Sequence, residues 1–164
     1  MLRDHGQSKK YLHDFEGYNG RLDAIQAGLL RVKLRHLSKW NEKRFESARI
    51  YEQLFAPIAE TVMPPYQAST SKSVYHLYVV RTPNRDELQK HLTTAGIGTG
   101  IHYPIPIHLQ TAYSSLGWKR GDFPVSEQAA DQILSLPMFA GLAPSQQEQV
   151  AETISDIVDS YMAR

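Results

Sequence analysis

Two stretches of this 164-residue sequence gather residue types that could bind or transform a substrate. The first is Gly98-Thr99-Gly100-Ile101-His102-Tyr103-Pro104-Ile105-Pro106-Ile107-His108. Its glycines permit close approach of the backbone to a neighbour, and its prolines stiffen the chain that follows. The result is a rigid loop displaying two imidazoles and a phenol. The chemistry open to such a loop is metal ligation or contact with a substrate. Zinc is disfavoured, because His102 and His108 have neither a cysteine nor an acidic neighbour and fall short in spacing and ligand count. Taken as residues alone, they serve equally well as substrate contacts or as loop side chains that pack and hydrogen-bond.

The second stretch is Gly17-Tyr18-Asn19-Gly20-Arg21-Leu22-Asp23, at the start of an expected helix. Asn19 or Gly20 could cap that helix. The same amide and charged groups face the positive end of a helix dipole, where a phosphate is favoured. Alone, the residues favour the cap. Ser126 and Glu127 read as an N-cap at least as well as catalytic groups. The scattered carboxylates offer no close pair for acid–base work between two of them. His5, His13, His36, His76 and His91 belong to no recognisable triad.

The elements that must position these groups follow from apolar spacing. Residues 1–20 are polar, contain three glycines and read as an extended loop. Leu22, Ile25, Leu29, Leu30 and Leu37 begin a helical stripe that Trp40, Phe45, Ala48, Tyr51 and Leu54 continue. The spacing predicts helix over Leu22–Ala56, with a break near His36, Leu37 or Ser38. Val74–Arg81 is β-branched and aromatic and reads as a strand. Asn84 and Glu87 suggest a capping box for a helix that stops at Gly96. Ile97–Tyr103 is a short strand candidate, and residues 104–124 a loop. Val125–Leu134 reads as a helix, and Leu136–Phe139 as a short extended piece. A last helix begins near Pro144 and runs to about Tyr161. A small α+β layer is expected, with a few strands covered by helices.

Composition narrows the function classes. Lys plus Arg number 18 against 17 Asp plus Glu, a net charge of +1. That balance suits nucleic-acid binding poorly. The basic residues between Arg31 and Arg49 are interrupted by Glu42 and Glu46 and read as a solvated helix face. The absence of cysteine removes disulfides, thiolate catalysis and Cys-based zinc sites together. No apolar run is long enough to span a membrane. The first residues lack the apolar segment of a signal peptide, and a cytoplasmic location is expected.

Taken together, the motifs resemble the DegT type of pyridoxal-phosphate-dependent sugar aminotransferase. The resemblance rests on Arg3-Asp4-His5-Gly6, Tyr11, His13, Gly17 to Asp23, and Gln26-Ala27. It continues through Leu34, His36, Leu37, Trp40, Asn41 and Arg44, then Tyr75-His76-Leu77-Tyr78 and Gly96 to Pro104. His108-Leu109-Gln110, Gly121-Asp122-Phe123-Pro124 and Leu134-Ser135-Leu136-Pro137-Met138 complete it. These motifs run in order along nearly the whole chain, which makes the set specific where any one alone would be weak.

The resemblance implies the C-terminal part of a fold-type-I transferase that aminates a keto sugar carried on a nucleotide, in amino-sugar biosynthesis. It implies pyridoxal phosphate as cofactor, an amino acid as amine donor and a homodimer. Residues 1–36 would be the tail end of the large cofactor domain, and residues 37–164 the small C-terminal α+β domain. Asn19 and Arg21 would reach the cofactor phosphate of the neighbouring subunit. Tyr18, His102, Tyr103 and His108 would contact the sugar nucleotide. The lysine that bonds the cofactor, the aspartate on the pyridine nitrogen and the ring-stacking residue would all precede Met1. Catalytic residues are therefore expected to be absent from this chain, which alone should carry no transaminase activity. The loop-like start then reads as a cut rather than a domain edge. Ile25, Leu29 and Leu30 would meet the missing domain or a second subunit. A catalytically inactive, standalone α+β binding or assembly module stays open, as does a dehydratase within the same family.

Overall fold

A computed structural model describes residues 1–162. By its internal contacts the chain divides into two compact units, Met1–Ser38 and Lys39–Arg164.

The first unit is not a plain loop at its start. Strands β1 (Gln7–Lys9) and β2 (Leu12–His13) form a short antiparallel hairpin with an irregular register. Asp4 pairs across to Asn19 in an isolated antiparallel bridge. Too few apolar residues alternate here for a strand period to show. The hairpin is held by backbone contact instead, and glycine makes that contact possible. Gly6 has φ +70°, and a Cβ there would lie 1.8 Å from the Phe15 carbonyl oxygen. A Cβ on Gly17 would lie 2.2 Å from the Gly6 nitrogen. Both positions exclude any side chain.

Helix α1 (Ala24–Leu34) follows. Its cap is Asp23, whose Oδ1 accepts from the N–H of Ile25 at 2.9 Å and of Gln26 at 3.0 Å. The expectation of Asn19 or Gly20 as cap is corrected. The cap must sit next to the first turn, where its oxygen reaches the free amides. No residue of α1 is buried, and Ile25, Leu29 and Leu30 are 76%, 63% and 54% exposed.

The second unit holds the core. Helix α2 (Leu37–Phe55) starts after a turn at Arg35 and His36, as the spacing predicts. It buries Ala48, Tyr51 and Phe55 on one face. Strand β3 (Tyr78–Arg81) pairs antiparallel with β4 (Ile133–Leu136), Tyr78 opposite Leu136 and Arg81 opposite Ile133. The strand expected over Val74–Arg81 is thus half as long. Tyr75 takes φ +45°, which breaks the extended run before Tyr78. Met63 bridges to Arg81, and Gly100 bridges to Ser135. The stretch expected as a strand over Ile97–Tyr103 makes only that one bridge.

Helix α3 (Arg85–Thr94) buries Leu88 and Leu92 and ends before Gly96, which adopts φ +75°. Asn84 precedes it without a side-chain cap bond, so the expected capping box does not form. Helix α4 (Pro124–Gln132) leads directly into β4, and α5 (Pro144–Met162) closes the unit. Val150, Ile154, Ile157 and Val158 of α5 pack with Tyr51, Phe55, Tyr78, Val80, Leu88, Leu92 and Leu134. Each fully buried aliphatic side chain of this kind contributes roughly 1.5–3 kcal/mol. The fold is α+β, with helices over a small antiparallel sheet.

Candidate functional site

In the first unit, backbone pairing shapes the Gly17–Asp23 segment. The Tyr18 N–H donates to the Leu2 carbonyl at 2.8 Å, and the Gly20 N–H to the Arg3 carbonyl at 2.8 Å. The His5 N–H donates to the Tyr18 carbonyl at 3.0 Å. The main chain is thereby fixed, while the side chains of Tyr18, Asn19 and Arg21 are exposed. Because Asp23 caps α1, the Asn19 amide is not needed by the helix. A carboxamide and a guanidinium two residues apart form a donor set that fits a phosphate, which is anionic and accepts several hydrogen bonds.

In the second unit, His102 and Tyr103 are consecutive and yet line different cavities. The His102 ring shares a cavity of about 360 Å³ with His76, Thr99 and Ser135. Its Nδ1 lies 2.9 Å from Ser135 Oγ. Gly100 makes this placement possible, since a Cβ there would come within 2.6 Å of His102 Cε1. The same glycine exchanges two backbone hydrogen bonds with Ser135, of 3.1 and 2.7 Å. Strand β4 therefore positions the imidazole through both the side chain and the backbone of one serine.

Tyr103 is 74% exposed and stands on the wall of a second cavity of about 510 Å³. That cavity is mostly apolar, and Ile107, His108, Trp118, Phe123 and Ala130 also line it. Trp118 meets Phe123 edge-on with ring centres 5.4 Å apart, and His108 lies 4.7 Å from Phe123. The expected loop over 104–124 contains two short 3₁₀ turns, Ile107–Leu109 and Thr111–Leu116. His102 faces one cavity, and Tyr103 and His108 the other.

His108 departs from expectation in a second way. It is buried, and its Nε2 lies 2.9 Å from Glu127 Oε1. The reading that it lacks an acidic neighbour holds only along the chain; the fold of α4 supplies one. Glu127 is buried as well. Its two oxygens accept from the Gly121 N–H at 2.9 and 3.0 Å, and Oε1 also faces the Phe123 N–H at 3.4 Å. Burial by itself pushes this carboxyl up. The Gly121 amide, His108 and the Phe123 amide outweigh that and hold it below its ordinary value. The N-cap reading of Ser126 and Glu127 is corrected: both lie inside α4, whose capping position is Phe123 and carries no side-chain cap bond.

Sequence reasoning assigned no site role to Ser135, Trp118 or Phe123, and weighed Glu127 only as a cap or a catalytic group. Ser135 did carry a signal: a hydroxyl between two leucines needs a partner once that segment is buried, as it is in β4 rather than in the helix expected to Leu134. Phe123 entered only as part of the Gly121-Asp122-Phe123-Pro124 motif, with no role attached, and nothing local marks Trp118.

Comparison with known proteins gives this geometry a family. The chain is 43% identical over 157 residues to a "pleiotropic regulatory protein" of Geobacillus stearothermophilus, covering 95% of the chain and 42% of that relative. It is 40% identical to a dTDP-3-amino-3,4,6-trideoxy-alpha-D-glucose transaminase of Streptomyces venezuelae, covering 95% of the chain and 41% of that protein. Among solved structures, S. venezuelae DesV in complex with a ketimine intermediate superposes with a TM-score of 0.90 at 40% identity. That match covers 95% of the chain and 42% of DesV. The PLP-form of the putative sugar aminotransferase Spr1654 from Streptococcus pneumoniae gives 0.84 at 25% identity, over 97% of the chain and 42% of that structure. The chain thus spans about 42% of the length of the relatives that it matches. With a family sequence model matching residues 1–155, the chain belongs to the DegT/DnrJ/EryC1/StrS aminotransferase family.

Proposed function

We propose that this chain forms part of a pyridoxal-phosphate-dependent aminotransferase, which moves an amino group from an amino-acid donor onto a nucleotide-linked keto sugar. The enzyme works in the cytoplasm as a homodimer and serves amino-sugar biosynthesis. Residues 1–36 belong with the cofactor domain, and residues 37–164 form the small domain. The name of the S. venezuelae relative supports a 3-keto sugar as the acceptor.

The observation that carries this reading is the exposed Asn19–Arg21 pair on a pinned backbone, in a chain of this family. When bound, pyridoxal phosphate would supply the electron sink on which amino-group transfer depends. Asn19 and Arg21 would hold its phosphate, one by amide donation and the other by charge. Tyr18, His102, Tyr103 and His108 serve the sugar nucleotide. His102, with Nδ1 engaged by Ser135, presents Nε2 to a substrate hydroxyl. Tyr103 and the apolar cavity beside it exclude water from a planar portion of the ligand. His108 contributes its ring face, because Glu127 occupies its Nε2.

A subunit-mixing experiment tests the phosphate contact and the subunit that it serves. In an intact enzyme containing this region, Asn19→Ala should weaken cofactor retention by roughly 1–3 kcal/mol. One subunit carries Asn19→Ala, and another lacks the lysine that bonds the cofactor. If Asn19 serves the neighbouring subunit, each mixed dimer has one complete site. Random mixing then restores about a quarter of wild-type activity, since about half of the dimers are mixed. No recovery, with subunit exchange confirmed, rejects the cross-subunit role.

A further inference from the structure

The cavity beside Tyr103 has one wall made of loop and one made of helix. Ile107, His108, Trp118 and Phe123 come from the loop between Tyr103 and α4, and Ala130 comes from α4 itself. Residues 105–123 contain no strand and no α-helix. A segment of that kind, open to water along most of its length, has many conformations available to it. Something must close it for the cavity to exist before a ligand arrives.

Glu127 is placed to do so. Its side chain is buried where a carboxylate is ordinarily exposed. It contacts the loop near both of its ends. Near the start, Oε1 meets His108 Nε2 at 2.9 Å. At the end, the carboxylate accepts from Gly121 at 2.9 and 3.0 Å and faces the Phe123 amide at 3.4 Å. The stretch from His108 to Gly121 is thereby drawn into one closed loop around a single side chain. Gly121 takes φ +99°, a conformation that turns its N–H toward the carboxylate at little cost for glycine alone. The rings of His108, Phe123 and Trp118 meet in series from this anchor, tilted at 4.7 Å and then edge-on at 5.4 Å. The aromatic lining therefore hangs on the anchor. Contacts within the loop itself, such as Asp122 Oδ2 accepting from the Lys119 N–H at 2.9 Å, shape its turns but do not tie it to α4. The rim ion pair between Arg120 and Asp131, at 3.8 Å and well exposed at both ends, adds little.

We propose that Glu127 is a positioning residue, a carboxylate clamp that holds the loop of residues 105–123 shut so that Trp118, Phe123 and His108 present a preformed cavity. Its use toward a nucleotide sugar rests on the function proposed above; the clamp itself rests on the hydrogen bonds alone. Glu127 touches no ligand in this scheme and acts through His108 and through the amides of Gly121 and Phe123. A preformed wall avoids the cost of ordering the loop at the moment of binding.

The test uses the full chain with Trp40→Phe, so that Trp118 is the sole tryptophan. Glu127→Ala should speed amide exchange at Gly121 and Phe123 roughly tenfold or more, the effect of losing charge-assisted hydrogen bonds. Trp118 emission should move to the red and become easier to quench. Exchange across β3 and β4 should stay as in the parent. Glu127→Gln, which keeps an acceptor oxygen, should recover much of the protection at Gly121. Unchanged exchange at Gly121 and Phe123 in Glu127→Ala overturns the clamp. So does an equal rise across Tyr78–Arg81, which would make Glu127 a general stabiliser of the domain. A second arm titrates dTDP and UDP into the parent and into Glu127→Ala. Weaker binding in the variant supports the clamp, and equal binding overturns it as a device for the cavity. If neither nucleotide binds the parent while the exchange pattern holds, the clamp stands and only the substrate reading falls.

Discussion

At the scale of single residues, placement in this site depends on contacts far apart in sequence. The His102 imidazole fits because Gly100 has no side chain and because Ser135 offers Oγ at 2.9 Å. Gly100→Ala would force its Cβ against the ring. The expected outcome is loss of the His102–Ser135 hydrogen bond, at about 1 kcal/mol, with the core intact. Imidazole nitrogen resonances check this, with Ser135→Ala as the uncrowded reference. Identical resonances in parent and Gly100→Ala would reject the argument. Glu127 makes a second prediction, about pH. Its carboxyl sits below its ordinary value despite burial, because the Gly121 amide, His108 and the Phe123 amide favour the charged form. A lowered folded value means that the contribution is complete above the ordinary carboxylate range. It is lost as pH falls through the lowered value. His108 is the titratable group in contact with it among the described residues. Trp118 emission should therefore show an acid transition in the parent, and Glu127→Gln should flatten it.

At the scale of elements, α2 and β3 meet through an aromatic cluster whose two tyrosines are not equivalent. Tyr51 lies 4.9 Å from Tyr78 and stacks on Phe55 at 5.5 Å. Both hydroxyls are pushed well above their ordinary value, by burial first and for Tyr78 also by the Glu52 charge. Tyr51 donates to the Pro137 carbonyl at 3.1 Å. The Tyr78 hydroxyl is buried and has no partner among the described residues. Tyr51→Phe should then cost about 1 kcal/mol, whereas Tyr78→Phe should be neutral or stabilising by a similar amount. Urea midpoints rank the two variants, and a larger loss in Tyr78→Phe than in Tyr51→Phe would contradict the accounting. The same elements show how far periodicity reaches. α2 and α5 were legible because each repeats its apolar residues over several turns. β3 was overextended because Val74, Tyr75 and Leu77 are strand-like types, while the positive φ at Tyr75 depends on what surrounds it.

At the scale of the whole molecule, α1 carries an apolar stripe that no described residue of its own unit buries. Ile25, Leu29 and Leu30 are all more than half exposed, and so are Val32 and Leu34. A run of this kind on one short helix is unusual for a free surface and usual for an interface. The purified chain is expected to self-associate, and light scattering as a function of concentration measures it. A clean monomer that binds no hydrophobic dye would count against the stripe as an interface. Replacing Leu29 and Leu30 together by Lys should reduce association without melting the second unit, whose core uses neither residue.

The sequence by itself indicated the family and most of the helices, and it singled out Asn19, Arg21, His102, Tyr103 and His108 as candidates, because each is written in a local motif or a local period; the helix expected to Leu134 stops at Gln132, where β4 begins. Tertiary structure decided what those residues face. Whether consecutive His102 and Tyr103 share a cavity depends on Gly100 meeting Ser135, 35 positions away. Whether His108 is a free imidazole or a buried partner depends on Glu127, 19 positions away. Periodicity reports which side of an element is apolar. It carries no information on which polar side chain, arriving from another element, will satisfy a buried nitrogen, and that choice is made only when the chain closes on itself.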